Sequence, residues 1–536
     1  MNATRSSRQS PEVLLPLRRY QEIIPDWAHF QEAVASPEAV TFRVRPGALD
    51  EEAIVQRLAL QGFHLERVPG LRGYWRVNEG PGSVAQTPEH WLGLLHVQQA
   101  VMALPALALD PRPGETVLDL CAAPGGKTTH MAQLMEDRGP LVAVDPKEKR
   151  LRGLLGNLYR LGHSNVLVIA ADGRTLPSTA TFDRILVDAP CSAEGNIRRQ
   201  GGRAAGRNAE FTEHISSVQE ALLRKAVSIS RPGGVIVYST CTFAPEENEA
   251  VVSRVLADAG VEVEEIEIDG MPHAPGLGSW EENTFDPELR KAWRVYPHHM
   301  DSGGLFMVRL RKLAPAKVHA VPADASHNGS DHASGKASDG VPTDDSESSA
   351  GSPGWSKPPG AFPGEDEALA ARRLASAKHE LVHRFGLSEG DTSSMSWLVR
   401  GENVWMHTAD RWPVDAWESD EAAGRWRVVS LGIRALQERP PGMETPSTQF
   451  LTRWGTRMAP ERQVHLSLAE VRKILSDHVL PADKHPTGPV ALLWDGLVIG
   501  RGMVGAGGLR HEIPGESAKR LQVVLALLES RSSEDG

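Results

Sequence analysis

Cysteine is scarce in this chain: three residues in 536, at positions 121, 191 and 241. None forms a CxxC pair, so neither a disulfide framework nor a zinc ribbon is expected, and a reducing cytoplasm is the expected compartment. Long apolar runs are missing as well. No stretch approaches the roughly eighteen apolar residues of a membrane span, so no membrane partner is expected. The start, MNATRSSRQSPEVLLPLRRY, has arginines but neither an apolar core nor a small-residue cleavage site, and does not read as a signal peptide. An excess of positive charge is also lacking. The net charge is −11, the wrong sign for a typical nucleic-acid binder. The deficit is uneven, though. Between Lys317 and Asp366 eight acids face three lysines and supply −5 of it, whereas IRRQGGRAAGR, from Ile197 to Arg207, is locally basic. Charge therefore neither excludes an RNA partner nor proposes one. His298 and His299 stand without a third ligand at useful spacing, so no metal is expected.

What is present is more informative. A chain of this length exceeds one ordinary core. Residues 315–365 are rich in Ser, Gly, Asp and Pro and bury too little apolar area to offset chain entropy, which predicts a disordered linker. Before it, ETVLDLC, LVAVDP, NVLVIAAD, FDRILVDAP and GGVIVYSTC read as buried strands. KTTHMAQLMED, KEKRLRGLLGNLYRLG and the stretch from about Thr212 to Ser230 read as helices between them. Near-continuous Val, Ile and Leu strands alternating with helices predict an α/β fold with a parallel sheet covered on both faces. Ligands of such a doubly wound sheet sit beyond the C-terminal strand ends. EVEEIEIDG and GLFMVRLRK fit a late antiparallel edge. The expected divisions are an α+β lobe at 20–105, the α/β core at 106–314, the linker, a small α+β module at 366–445 and a largely β domain at 446–530.

The first core strand runs into LDLCAAPGGKTTH, where Gly125 and Gly126 allow close approach of backbone to a ligand. Three cofactor readings compete with a plain tight turn. A phosphate loop of the Walker type needs a glycine where Cys121 stands, and the GxGxxG of a dinucleotide fold is absent. The third is an S-adenosylmethionine loop beside Asp119. Asp145, Asp172 and Asp188 end the next three strands, and carboxylates at four successive strand ends would be costly as random core residues. Asp145 suits ribose hydroxyls and Asp172 the adenine side. Finally, DAPCS (188–192) and STCTF (239–243) place two of the three cysteines in similar settings at strand ends. Each thiol alone reads equally well as a buried apolar residue.

Together LDLCAAPGGKT, VAVDP, AADG, VDAPCSAEG and YSTCTFAPEENE resemble the RNA 5-cytosine methyltransferases of the NOL/NOP/Sun type. RVYPHHMDSGGLFMVRLRK resembles that family's closing strand pair and LHVQQAVMALPALALDPRPGE its opening helix, so the likeness spans roughly Val40 to Lys312. The resemblance implies a Rossmann-like class I methyltransferase core that binds S-adenosyl-L-methionine. Cys121, Ala122, Ala123, Pro124, Gly125, Gly126, Lys127, Asp145, Asp172 and Asp188 would line the cofactor. Carbon 5 of cytosine is a weak nucleophile until a thiolate adds to carbon 6. The family implies Cys241 as that thiolate, Cys191 as the residue that promotes release, Asp188 on the cytosine edge and Lys127 as a second base contact. Cys121, inside the cofactor loop, is not expected to react.

The C-terminal part resembles the bacterial 16S ribosomal RNA branch, with a ferredoxin-like module and a PUA-like RNA-binding domain ending in WDGLVIGRGMVGAGGLRHEIP. A monomer acting on 16S ribosomal RNA or the small subunit is the implied reading. Transfer RNA is the rival substrate, and a non-catalytic RNA-binding assembly factor the rival class. Arg198, Arg199, Arg203 and Arg207 follow DAPCS and are candidates to grip phosphates, against a solvated basic loop. Glu247, Asn248 and Glu249 are candidates to brace the helix after Cys241. Trp397, Trp405, Trp412, Trp417 and Trp426 suit base stacking or, for most of them, core packing.

Overall fold

The computed structural model describes residues 17–45, 47, 49–177, 179–199, 209–313, 354–356, 360–362, 364–413, 427–438, 444–476, 478–515, 518–519, 521–523 and 525–526. Arg203, Arg207, Trp417, Trp426 and most of 315–365 lie outside these.

Five strands run parallel in the middle of a ten-stranded sheet: β1 (Val117–Asp119), β2 (Leu141–Val144), β3 (Val166–Ala170), β4 (Phe182–Asp188) and β5 (Ser230–Thr240). Their order is β3-β2-β1-β4-β5, so the winding reverses between β1 and β4. A crevice opens outside the strand ends at such a reversal. Four further strands follow: β6 (Val261–Glu264), β7 (Ala274–Pro275), β8 (Trp293–Val295) and β9 (Leu305–Lys312). β9 runs antiparallel to β5, and β6 and β8 share its far edge, as the late strand pattern predicts.

Both faces of this sheet are covered, which is why its central strands are built on runs of Val, Ile and Leu. Along β5, Val235 and Val237 enter one buried cluster and Ile236 and Tyr238 the other, the alternation that a pleated strand imposes. One face receives helices α1 (Gly126–Leu134) and α2 (Glu148–Leu161). Leu151, Leu154, Leu158 and Leu161 form the buried stripe of α2, and Gly162 ends it in a left-handed conformation at φ 71°. The other face receives α3 (Ala209–Ile229) and α4 (Glu249–Leu256). The lobe at the N-terminal side is a four-stranded antiparallel sheet with helices Trp27–Ala35 and Glu51–Leu60.

Two features differ from expectation. The first is β10 (Arg427–Leu431), which does not stay within the 366–445 module but pairs antiparallel with β3, closing that edge of the core sheet. An apolar edge strand such as Val166–Ala170 offers unpaired backbone groups, and β10 satisfies them. The second is Trp355, inside the segment expected to be a disordered linker. It is 8% exposed, its Nε1 donates to the Thr181 carbonyl at 2.9 Å, and its ring meets Phe182 edge-on at 5.2 Å. One large aromatic surface in a Gly/Ser/Pro background is enough to tie the chain down.

Two small sheets complete the fold. Ser396–Arg400, Asn403–His407, Ile433–Glu438 and Glu444–Pro446 form one, backed by helix Glu367–His379. Trp397 and Trp412 are buried, so both serve packing. Gln463–Leu466, Gly488–Trp494, Leu497–Gly505 and Gly508–His511 form the other. Its apolar face joins the N-terminal lobe in one core, with Phe42, Ile54 and Leu58 in the same cluster as Val464, Ile474 and Leu492.

Candidate active site

The reversal between β1 and β4 gathers the chemistry. Asp188 ends β4 and stands in register with Ser239 of β5, so DAPCS and STCTF leave the sheet side by side. Their thiols meet: Cys191 Sγ and Cys241 Sγ are 3.3 Å apart. Asp188 is held from two sides, by Lys127 Nζ at 2.7 Å and by the Ser239 hydroxyl at 2.9 Å. Lys127 itself comes from the first turn of α1, directly after the glycine pair. Burial opposes its ammonium, but Asp188 outweighs that and holds its pKa above the ordinary value.

The two thiols are not equivalent. A hydrogen bond from Cys191 lowers the Cys241 pKa below its ordinary value, against the cost of burial and the nearby Asp188, and with help from Lys127. The same bond, burial and Glu247 push the Cys191 thiol well up. A further donor favours Cys241: Asn196 Nδ2 lies 3.2 Å from its Sγ. Nothing in the sequence separates Asn196 from its loop neighbours. Its role depends on a fold that brings residues 45 positions apart together. Cys121 differs from both: burial first, then the carboxylates of Asp119, Asp188 and Asp145, raises its thiol well above the ordinary value, which disfavours the reactive thiolate.

The loops are braced from behind by the ENE stretch. Glu247 accepts from the Ser192 amide at 3.0 Å and from Gln219 Nε2 at 2.9 Å. Asn248 accepts from the Thr240 hydroxyl at 2.6 Å and donates to the Thr242 carbonyl at 3.0 Å. Glu249 forms a fully buried ion pair with Arg294, whose other nitrogen donates to the Phe243 carbonyl at 2.9 Å. Gly195 fits between the two loops where a Cβ would come within 2.6 Å of the Gly304 carbonyl and 2.9 Å of the Cys241 carbonyl.

Of the four strand-end acids, Asp119 is 1% exposed and accepts from the Thr128 hydroxyl at 2.8 Å; burial pushes its pKa up to about 7. Asp145 accepts from the Ala123 and Lys147 amides at 3.3 and 3.0 Å and pairs with Arg150 at 3.0 Å. Asp172 caps the turn that follows β3 and pairs with Arg174 at 2.6 Å, which lowers its pKa. Gly125 adopts φ 103° and no side chain caps α1, so the loop Cys121–Lys127 ends in helix amides open to an anionic group. An uncapped helix start with carboxylates at the neighbouring strand ends fits a ligand that joins an amino acid to a nucleoside.

The basic cluster after DAPCS is corrected in part. The Arg198 side chain is 1% exposed and donates to the carbonyls of Ser36, Pro37 and Ser302 and to Asp301, so it ties lobe to core and does not grip phosphate. Arg199 is exposed and pairs with Glu38 at 2.9 Å. Among the described residues no group of three metal-ligating side chains occurs, and no helix is long and apolar enough to cross a membrane.

The fold and this rim define a class I methyltransferase core. The sequence profile described as 16S rRNA methyltransferase RsmB/F matches residues 106–311. The chain is 36% identical over 260 residues to the tRNA (cytosine(49)-C(5))-methyltransferase of Pyrococcus abyssi, covering 48% of this chain and 83% of that protein. It is 37% identical over 310 residues to the ribosomal RNA small subunit methyltransferase F of Aeromonas hydrophila, covering 55% and 63%. The chain belongs to this family of RNA cytosine-C5 methyltransferases. It spans little more than a third of some relatives, with 37% of the human 28S rRNA (cytosine(4447)-C(5))-methyltransferase matched at 33% identity. Among solved structures, a methyltransferase homologue from Pyrococcus horikoshii superposes with TM-score 0.51 at 34% identity, over 57% of this chain and all of that one.

Proposed function

We propose that the chain forms 5-methylcytosine in RNA, using S-adenosyl-L-methionine, with 16S ribosomal RNA as substrate. The observation that carries this reading is the thiol pair 3.3 Å apart with donors gathered on Cys241. Family membership and the small-subunit relative support it. The cofactor, held by the loop Cys121–Lys127 with Asp145 and Asp172, supplies an electrophilic methyl group when bound.

The chain's own residues do the rest. The target base leaves its stack at a cost of a few kcal/mol. Cys241 adds as a thiolate to carbon 6, which makes carbon 5 nucleophilic. Asp188, fixed by Lys127 and Ser239, hydrogen-bonds the cytosine edge, with Lys127 as second contact. While Cys241 is a thiolate it draws the Cys191 proton. Once Cys241 is a thioether that draw is gone; Cys191 then gives its own proton to solvent and, as a thiolate, takes the proton from methylated carbon 5. The bond from Cys241 to carbon 6 then breaks and the product leaves. The domain at 446–530 serves as a PUA-like RNA-binding module, and the chain acts as a cytoplasmic monomer.

Bisulfite sequencing of total RNA with and without the gene tests the reading. A cytosine signal lost from 16S ribosomal RNA is expected. A signal lost only from transfer RNA moves the substrate to the Pyrococcus abyssi relative's class, and no lost signal defeats the proposal.

A further inference from the structure

At the rim opposite the thiols, the N-terminal lobe, α1, α2 and the C-terminal part enclose a cavity of about 1010 Å³. Six arginines line it; Arg457 is exposed and paired with Asp391, Arg72 stands on the rim, and the other four are buried or half-buried in the wall. Arg43 is 2% exposed and reaches no carboxylate: its guanidinium donates to Gln133 and, at 3.1 Å, to the Thr129 hydroxyl. Its Nε has no partner among the described residues. Arg160 is half-buried and donates to the carbonyls of His90 and Leu95 and to His96. Arg45 and Arg453 share one buried acid, Asp137, at 3.5 and 2.7 Å, and His163 Nδ1 takes its other oxygen at 2.7 Å.

The charges do not balance. Four guanidiniums face one carboxylate and the C-terminal ends of α1 and α2, each worth about half a negative charge. About two positive charges remain, and buried charge is costly unless compensated. Burial, with Arg453 and Arg43 nearby and Asp137 opposing, lowers the Arg45 pKa to about 10. Burial and Arg43 do the same to Arg160. The other acids of the wall offer little relief. Glu51 is taken by Arg67 and the Trp75 indole, Glu136 by Arg138, and Glu267 is exposed. On the rim, Arg72 is exposed and pairs with no acid among the described residues.

We propose that this cavity binds a phosphate group, supplied by the RNA backbone or by free phosphate. Guanidinium forks match phosphate oxygens in pairs, and the volume admits a phosphodiester with its flanking sugars. The RNA source rests on the function proposed above; the free-phosphate source does not.

Two measurements on the full chain test it. The first compares melting temperature in sodium phosphate and in sodium chloride of equal ionic strength. Phosphate raises any protein somewhat by exclusion, so the reading is the difference between wild type and Arg45→Gln. The variant is expected to lose at least half of the gain. The second measures binding of a 16S ribosomal RNA fragment against log salt. Arg45→Gln and Arg72→Gln are each expected to lower the slope by about one. A fall in both measurements assigns the RNA backbone, and a fall in the phosphate gain alone assigns free phosphate. Folded variants that keep both the gain and the slope overturn the site. Should Arg45→Gln not fold, Arg72→Gln decides by the slope. An RNA that binds with the expected slope yet gains no 5-methylcytosine defeats the enzymatic reading and leaves the site standing.

Discussion

Residues 188–192 and 239–243 leave adjacent parallel strands in register, and their thiols touch, yet the two loops sit in different fields. Cys241 receives the Asn196 amide and lies near the Lys127 ammonium. Cys191 lies near Glu247, whose carboxylate braces the Ser192 amide. Similar sequences thus carry thiols of opposite tendency, one toward thiolate and one toward thiol. What separates them is contributed by residues outside either motif.

Replacing the proposed nucleophile is the harshest way to break this comparison. Cys241→Ala should lower methyl transfer by about 10⁴-fold or more and leave no RNA adduct on a denaturing gel. Cys191→Ala should instead trap a protein–RNA adduct and slow turnover by about 10²–10⁴-fold. An adduct with Cys241→Ala and none with Cys191→Ala would reverse the roles. Arg294→Met leaves Glu249 buried without its partner, and should cost about 3–5 kcal/mol in denaturant unfolding. Asn196→Ala should move the acidic limb of thiol alkylation at Cys241 upward by about one pH unit, with little change in melting temperature.

The smallest effect concerns pH and stability. Burial lowers the pKa of His163 and of His407 to about 4, against an ordinary 6.5. The unfolded chain therefore binds more protons between about pH 6.5 and 4. Stability should be full above this window and fall as pH drops through it, which a series of melting temperatures at fixed ionic strength would check.

The sequence made the core and its rim readable because both depend on local pattern. Apolar strands, the glycine pair and two cysteine motifs each lie within a few residues. Asn196 is not legible there because its partner Cys241 is distant in the chain, and a basic run does not reveal that the Arg198 guanidinium is the buried one. The pairing of β10 with β3 joins residues more than 250 positions apart, and no periodicity encodes it. Trp355 was lost in the composition of its neighbours.

The place of β10 also orders events during synthesis. The core through β9 is complete once Lys312 is made, but the outer edge of β3 stays unpaired until Leu431 has followed. For that interval the nascent chain carries an apolar strand edge open to other chains. A chain cut after Lys312 would keep that edge for good, and its solubility would fall for a reason unrelated to the thiols, which follow β4 and β5 across the sheet.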